Sequence, residues 1–189
     1  MRWQQLFADL QGQFDEEEAA AERSEAASRT RAEVGAVRLS QRLLGSLGAP
    51  VTVTCRGAGQ VAGMLVDAGP DWLLLEAERG RQQLVATAAV RAVSGLGRST
   101  APFEPPGAVR GQLDLRRAVR ALARDRAAVQ VVLDDGSVLT GTVDRVGADY
   151  LELAEHPGDS PRRAEVVQRV RAIVLDAVAV IRTGVPGLP

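Results

Sequence analysis

One stretch of this chain fits onto another without a gap. Residues 51–77 laid on residues 129–155 put Val51 on Val129, Val53 on Val131, Gly63 on Gly141 and Gly69 on Gly147. The same register sets Asp71 on Asp149, Leu73 on Leu151 and Leu75 on Leu153, with Trp72 meeting Tyr150. After a longer polar loop the match resumes, Ala89-Val90 on Ala177-Val178 and Val93 on Ile181. Two Val-rich strands can look alike by accident, but not with both glycines and the whole Gly-x-Asp-aromatic-Leu-x-Leu turn at one offset. The chain therefore carries one supersecondary unit twice.

Each copy reads as a meander of short strands. In the first, VTVTC, GQVAGMLVDAG, DWLLLEAE and RQQLVATAAVRAVSG are strand-length apolar runs separated by Gly-Pro-Asp and Arg-Gly turns. In the second, VQVVLDDGSVLTGTVDRVGADYLELAE turns at Asp134-Asp135-Gly136. A short helix precedes each: about Val37 to Leu47, stopped by Gly48 and Pro50, and LDLRRAVRALARDRAA with Leu115, Ala118, Val119 and Leu122 inward. After the loop EHPGDSPRR, Val166 and Val170 belong to a helix or a strand that leads into VRAIVLDAVAVIRTG.

The expected organisation is an N-terminal helix with a charged extension (1–36), a first unit (37–95), a Pro/Gly linker (96–111), a second unit (112–184) and a tail (185–189). The fold class expected is mainly β with flanking helices (α+β): two small barrels in tandem. Hydrophobic residues make up 46% of the 189 residues but aromatics only 3%, so the cores must be built from Val, Leu and Ala.

The pattern of a helix, a bent strand ending in Gly-x-hydrophobic, a tight turn, an aromatic-Leu-x-Leu strand and a closing Ala-Val-x-x-Val strand resembles the Sm-like small barrel. SH3-like and PRC-type barrels share the outline. QLVATAAVRAV (Gln83 to Val93) is similar to the closing strands of the bacterial Sm-like RNA chaperone, and GTVDRVGADYLEL (Gly141 to Leu153) to its second and third strands. The resemblance covers residues 39–94 and 117–182. It implies that Gly63 and Gly141 sit at a sharp strand bend, and that Trp72 and Tyr150 cap a barrel mouth.

The family's RNA-reading residues do not carry over. Where the chaperone branch has a Lys-His pair, this chain has Thr87-Ala88 and Leu175-Asp176; where the eukaryotic-type branch uses asparagine, Leu73 and Leu151 lie nearby. The chain has no asparagine at all.

Two surfaces remain as candidates. Trp3, Leu6, Phe7, Leu10 and Phe14 fall at i, i+3, i+4, i+7 and i+11 of a helix, one apolar stripe. The segment from Asp15 to Glu33 then holds seven acids against three arginines and no apolar face, so it is a solvated helix or a frayed linker. The stripe must dock on the chain's own barrels, on a second copy or on a protein partner. The other surface is basic. Arg116, Arg120 and Arg124 stand at i, i+4 and i+8, with Arg117 beside them and Arg162 and Arg163 in a later loop. That face can bind nucleic-acid phosphate, or can be an ordinary solvated helix face. All 23 basic residues are arginines, which codon bias in a GC-rich genome explains, and the net charge of −1 argues against an overall nucleic-acid clamp.

No catalytic constellation is recognisable, and no cofactor or metal is expected. His156 is the only histidine, placed by sequence in a solvated loop without companion ligands. The single Cys55 falls where the other copy has Leu133 and reads as a small core hydrophobe. A lone cysteine, no apolar signal-peptide core and no membrane-length apolar run lead us to expect a soluble cytoplasmic protein that is not an enzyme.

Overall fold

In a computed structural model of the chain, residues 2–102, 112–158 and 167–184 are described. The N-terminal segment is one helix, α1 (Arg2–Ala36). It belongs to a unit of its own, Met1–Arg38. The acidic stretch that sequence left open between helix and linker is helical, and every side chain from 16 to 36 is exposed. Ala, Glu and Arg have the propensity for a helix and nothing to bury.

Residues 39–189 form the second unit. The helix α2 (Leu39–Leu44) leads into strands β1 (Pro50–Cys55), β2 (Gly59–Ala68), β3 (Trp72–Glu76), β4 (Gln82–Ala86) and β5 (Val90–Ser94). The helix α3 (Leu115–Asp125) leads into β6 (Ala128–Leu133), β7 (Val138–Val146), β8 (Tyr150–Glu155), β9 (Arg169–Val174) and β10 (Val178–Thr183). Val170, left between helix and strand by its sequence, is in a strand; Val166 lies outside the described residues.

The duplication extends to the hydrogen-bond register. Val51 faces Gly63 across β1 and β2, and Val129 faces Gly141 across β6 and β7. Both second strands carry an irregularity at matching places, between Leu65 and Asp67 and between Val143 and Arg145. Both turns close alike, with the Gly69 N–H on the Trp72 carbonyl and the Gly147 N–H on the Tyr150 carbonyl, each at 2.8 Å. The conserved glycines serve close strand approach: a Cβ on Gly63 would come within 2.6 Å of the Glu76 carbonyl oxygen, and one on Gly141 would run into that of Ala154. The strand irregularity itself lies two or more residues beyond them.

All ten strands form one antiparallel open sheet in the order β5-β1-β2-β3-β4-β10-β6-β7-β8-β9. The two five-strand halves are thus joined where β4 of the first pairs with β10 of the second, Val85 opposite Val180, Leu84 opposite Ile181 and Gln83 opposite Arg182. Successive residues of a strand point to opposite faces, and the join uses both. Leu84, Ala86 and Trp72 enter the core of the second half with Leu115, Val119, Leu151 and Leu153. Val132, Ala179 and Val180 enter the core of the first half with Val53, Leu65, Leu73 and Val85. Each core is completed by residues of the other half.

Candidate functional site

The seam at β4 and β10 positions three groups of side chains. The first is a clasp on the start of α3. Asp114 caps the helix, its Oδ1 accepting from the Arg117 N–H at 2.8 Å. The turn between β2 and β3 reaches across from the first half. Asp71 Oδ1 accepts from the Leu115 N–H at 2.7 Å, and the Trp72 indole Nε1–H donates to the Leu113 carbonyl at 2.6 Å. Burial raises the Asp71 carboxyl pKa, against the lowering effect of the Leu115 N–H, and repulsion from Asp114 adds to the rise. Trp72 is 8% exposed. Its ring therefore caps the core of the second half. The matching Tyr150 is 38% exposed.

Beside the clasp lies an apolar cavity of about 270 Å³, floored by Trp72, Leu74, Leu84 and Ile181 and walled by Ala118 and Leu122 of α3. Its polar rim includes Gln82, Arg117 and Thr183.

The third group lies on the other face of the sheet, since Gln83 and Arg182 alternate with Leu84 and Ile181 along the paired strands. Arg182 donates from Nε to Gln83 Oε1 at 3.3 Å and from Nη1 to Gln130 Oε1 at 3.1 Å. These residues and Arg81 line a polar cavity of about 310 Å³.

The arginines of α3 do not act as one free cationic face. Arg116 Nε lies 3.8 Å from Asp114 Oδ2, Arg117 donates to the Gln112 carbonyl, and Arg120 Nη2 reaches the Gly147 carbonyl at 3.5 Å. Arg117, Arg120 and Arg124 are exposed, and among the described residues none of these three is paired with a carboxylate. Arg162 and Arg163 lie outside the described residues. Of the apolar stripe on α1, Trp3 is 72% exposed; the side chains of Leu6, Phe7, Leu10 and Phe14 lie outside the described ones.

His156 corrects the expectation of a solvated loop residue. It is 3% exposed and sits directly after β8. Nδ1 lies 2.8 Å from the Pro157 carbonyl, which can only accept, so Nδ1 carries the proton. Nε2 then accepts from the hydroxyl of Thr142, itself 1% exposed, at 2.9 Å. The imidazole thus satisfies a buried hydroxyl, a role that loop composition gives no hint of. Cys55 is buried in the first core, and desolvation pushes its thiol pKa up. Among the described residues no group of three or more His, Cys, Asp or Glu side chains could hold a metal ion. No helix among them is long and apolar enough to cross a membrane.

No known protein family's pattern matches this chain, and no curated protein matches it.

Proposed function

We propose that this protein is a non-enzymatic cytoplasmic scaffold or adaptor. Two Sm-like small barrels, fused through one sheet, form its platform, and α1 binds a protein partner or a second copy. The observation that carries this reading is the form of α1. A 35-residue helix forms a unit of its own, is exposed along all of 16–36, and presents Trp3 at 72% exposure at its start. An exposed indole at the head of the apolar stripe read from the sequence is what a helix that docks on a partner would present. The strand order β5-β1-β2-β3-β4, repeated as β10-β6-β7-β8-β9, supports the Sm-like reading of each half. Truncation before Val34 tests the proposal. The shortened chain should lose the bound partner or self-association of the full chain while keeping its β-rich circular dichroism; unchanged partners and oligomeric state would refute it.

A second reading rests on Arg117, Arg120 and Arg124, exposed on α3 without a carboxylate partner among the described residues. It makes the protein a nucleic-acid binder through phosphate contacts, with affinity that falls steeply as salt rises. Charge reversal of Arg117, Arg120 and Arg124 to glutamate should abolish low-salt binding to DNA or RNA, and absence of any binding by the native chain at low salt would dispose of this reading.

A further inference from the structure

The apolar cavity beside α3 exists only because the two halves are joined. Trp72, Leu74 and Leu84 come from the first half, and Ile181, Ala118 and Leu122 from the second. The clasp fixes the two sides relative to each other, through Asp71 on the Leu115 N–H and the Trp72 indole on the Leu113 carbonyl.

Its floor is core surface. Trp72, Leu84 and Ile181 are 8%, 6% and 0% exposed. Over that floor the α3 stripe runs out of bulk: Leu115 and Val119 are buried, but Ala118 and Ala121 end in a single methyl group each. Leu74 and Leu122 are left half-buried around the gap, and Leu113 at its margin is 44% exposed. Apolar surface held open to water is unfavourable, and an apolar occupant would recover that free energy. A dry cavity of about 150 Å³ takes benzene. One of about 270 Å³ therefore admits an aliphatic chain of about eight carbons.

The rim selects the other end of the occupant. Arg117 is the one charged residue among the described residues that line the cavity, and none of them is acidic. Its Nη1 donates to the Gln112 carbonyl, which holds the guanidinium at the mouth, and no carboxylate among the described residues pairs with it. Asp114, three residues earlier, is already engaged by the Arg117 N–H at 2.8 Å and by Arg116 Nε at 3.8 Å. A guanidinium donates to a carboxylate through charge-assisted hydrogen bonds, stronger than neutral ones.

We propose that this cavity binds an aliphatic monocarboxylate of about eight carbons, its chain on Trp72, Leu84 and Ile181 and its carboxylate on Arg117. The site lies wholly within residues 39–189, so it is independent of the docking role given to α1.

Sodium octanoate is the probe, titrated into the full chain and followed by calorimetry. It should saturate at one molecule per chain. Octylammonium, with the same chain and the opposite charge, should bind about tenfold more weakly or worse. Trp72 and Trp3 are the only two tryptophans, so in a Trp3→Phe chain octanoate should shift the emission of the Trp72 indole beneath it. Arg117→Gln should weaken octanoate by about fivefold or more and leave 1-octanol unchanged. Ala118→Leu, and Ala121→Leu at an exposed position of the wall, should fill the cavity and abolish binding with the melting temperature kept or raised. Absence of saturable binding up to millimolar octanoate overturns the proposal. So does binding that octylammonium matches, that Arg117→Gln leaves unchanged, or that both leucine variants keep, since such uptake belongs to apolar surface elsewhere.

Discussion

Trp72 and Tyr150 occupy the same position of the repeat, so substituting each by alanine measures the seam with an internal control. At 8% exposure, Trp72 holds nearly all of an indole in the second core. An aromatic of this size buries about 200 Å² or more, worth about 5 kcal/mol at ~25 cal/mol per Å². The Nε1–H donated to the Leu113 carbonyl adds about 1 kcal/mol. Alanine keeps part of the buried area and neighbours relax into the space, so a loss of about 4–5 kcal/mol is expected for Trp72→Ala. Tyr150, 38% exposed, buries roughly 120 Å², which sets an upper bound near 3 kcal/mol and an expected loss of about 2. For a unit of this size, ~2–4 °C of melting temperature per kcal/mol makes the gap between the variants about 5–10 °C. Thermal unfolding followed by far-ultraviolet circular dichroism at low protein concentration, where copies are apart, reads it. Equal losses, or a larger one for Tyr150→Ala, would mean that the β2–β3 turn does not clasp α3.

His156→Ala removes the acceptor of the buried Thr142 hydroxyl and should cost about 1–3 kcal/mol; Thr142→Val in the same background should recover part of it, as urea midpoints of the four chains will show. The Asp71 carboxyl, raised chiefly by burial, binds its proton at higher pH in the folded chain than in the unfolded one. Its ionisation therefore lowers stability as pH rises from about 3.9 through the raised value. Asp71→Asn keeps an acceptor for the Leu115 N–H and loses that dependence, so its stability relative to the native chain should grow over the same rise in pH. Cys55, buried with its thiol pKa raised, should react with a maleimide or disulfide reagent far more slowly in the native chain than in denaturant; equal rates would place it at the surface.

What sequence made legible was periodic or repeated. The offset joining Val51 to Val129 foretold that both pairs of strands share a register, because glycines at 63 and 141 are needed wherever a neighbouring carbonyl passes that close. The α3 stripe was legible from Leu115 and Val119 at i and i+4, both buried. Strand β9 was ambiguous because RVRAIV carries apolar residues that fit a helix as readily as an edge strand. His156 was misread because loop composition predicts exposure, whereas its burial follows from a hydroxyl on a strand fourteen residues earlier.

The join between the halves was beyond reach of local pattern for a sharper reason. Position for position, β4 and β9 have comparable strand character, yet Leu84 and Ala86 are core residues and Val174 is in water. Their aligned residues differ, Leu84 against Ala172 and Ala86 against Val174, yet the more apolar Val174 is the exposed one; what decides burial is whether a β10-type edge stands alongside. Burial at this seam is a property of the pairing, and β9, with no β10-type edge beside it in this sheet, leaves its pairing surface open. The exposed Tyr150 and Val174 therefore follow from the duplication itself, since residues suited to a seam are copied whether or not a third half follows.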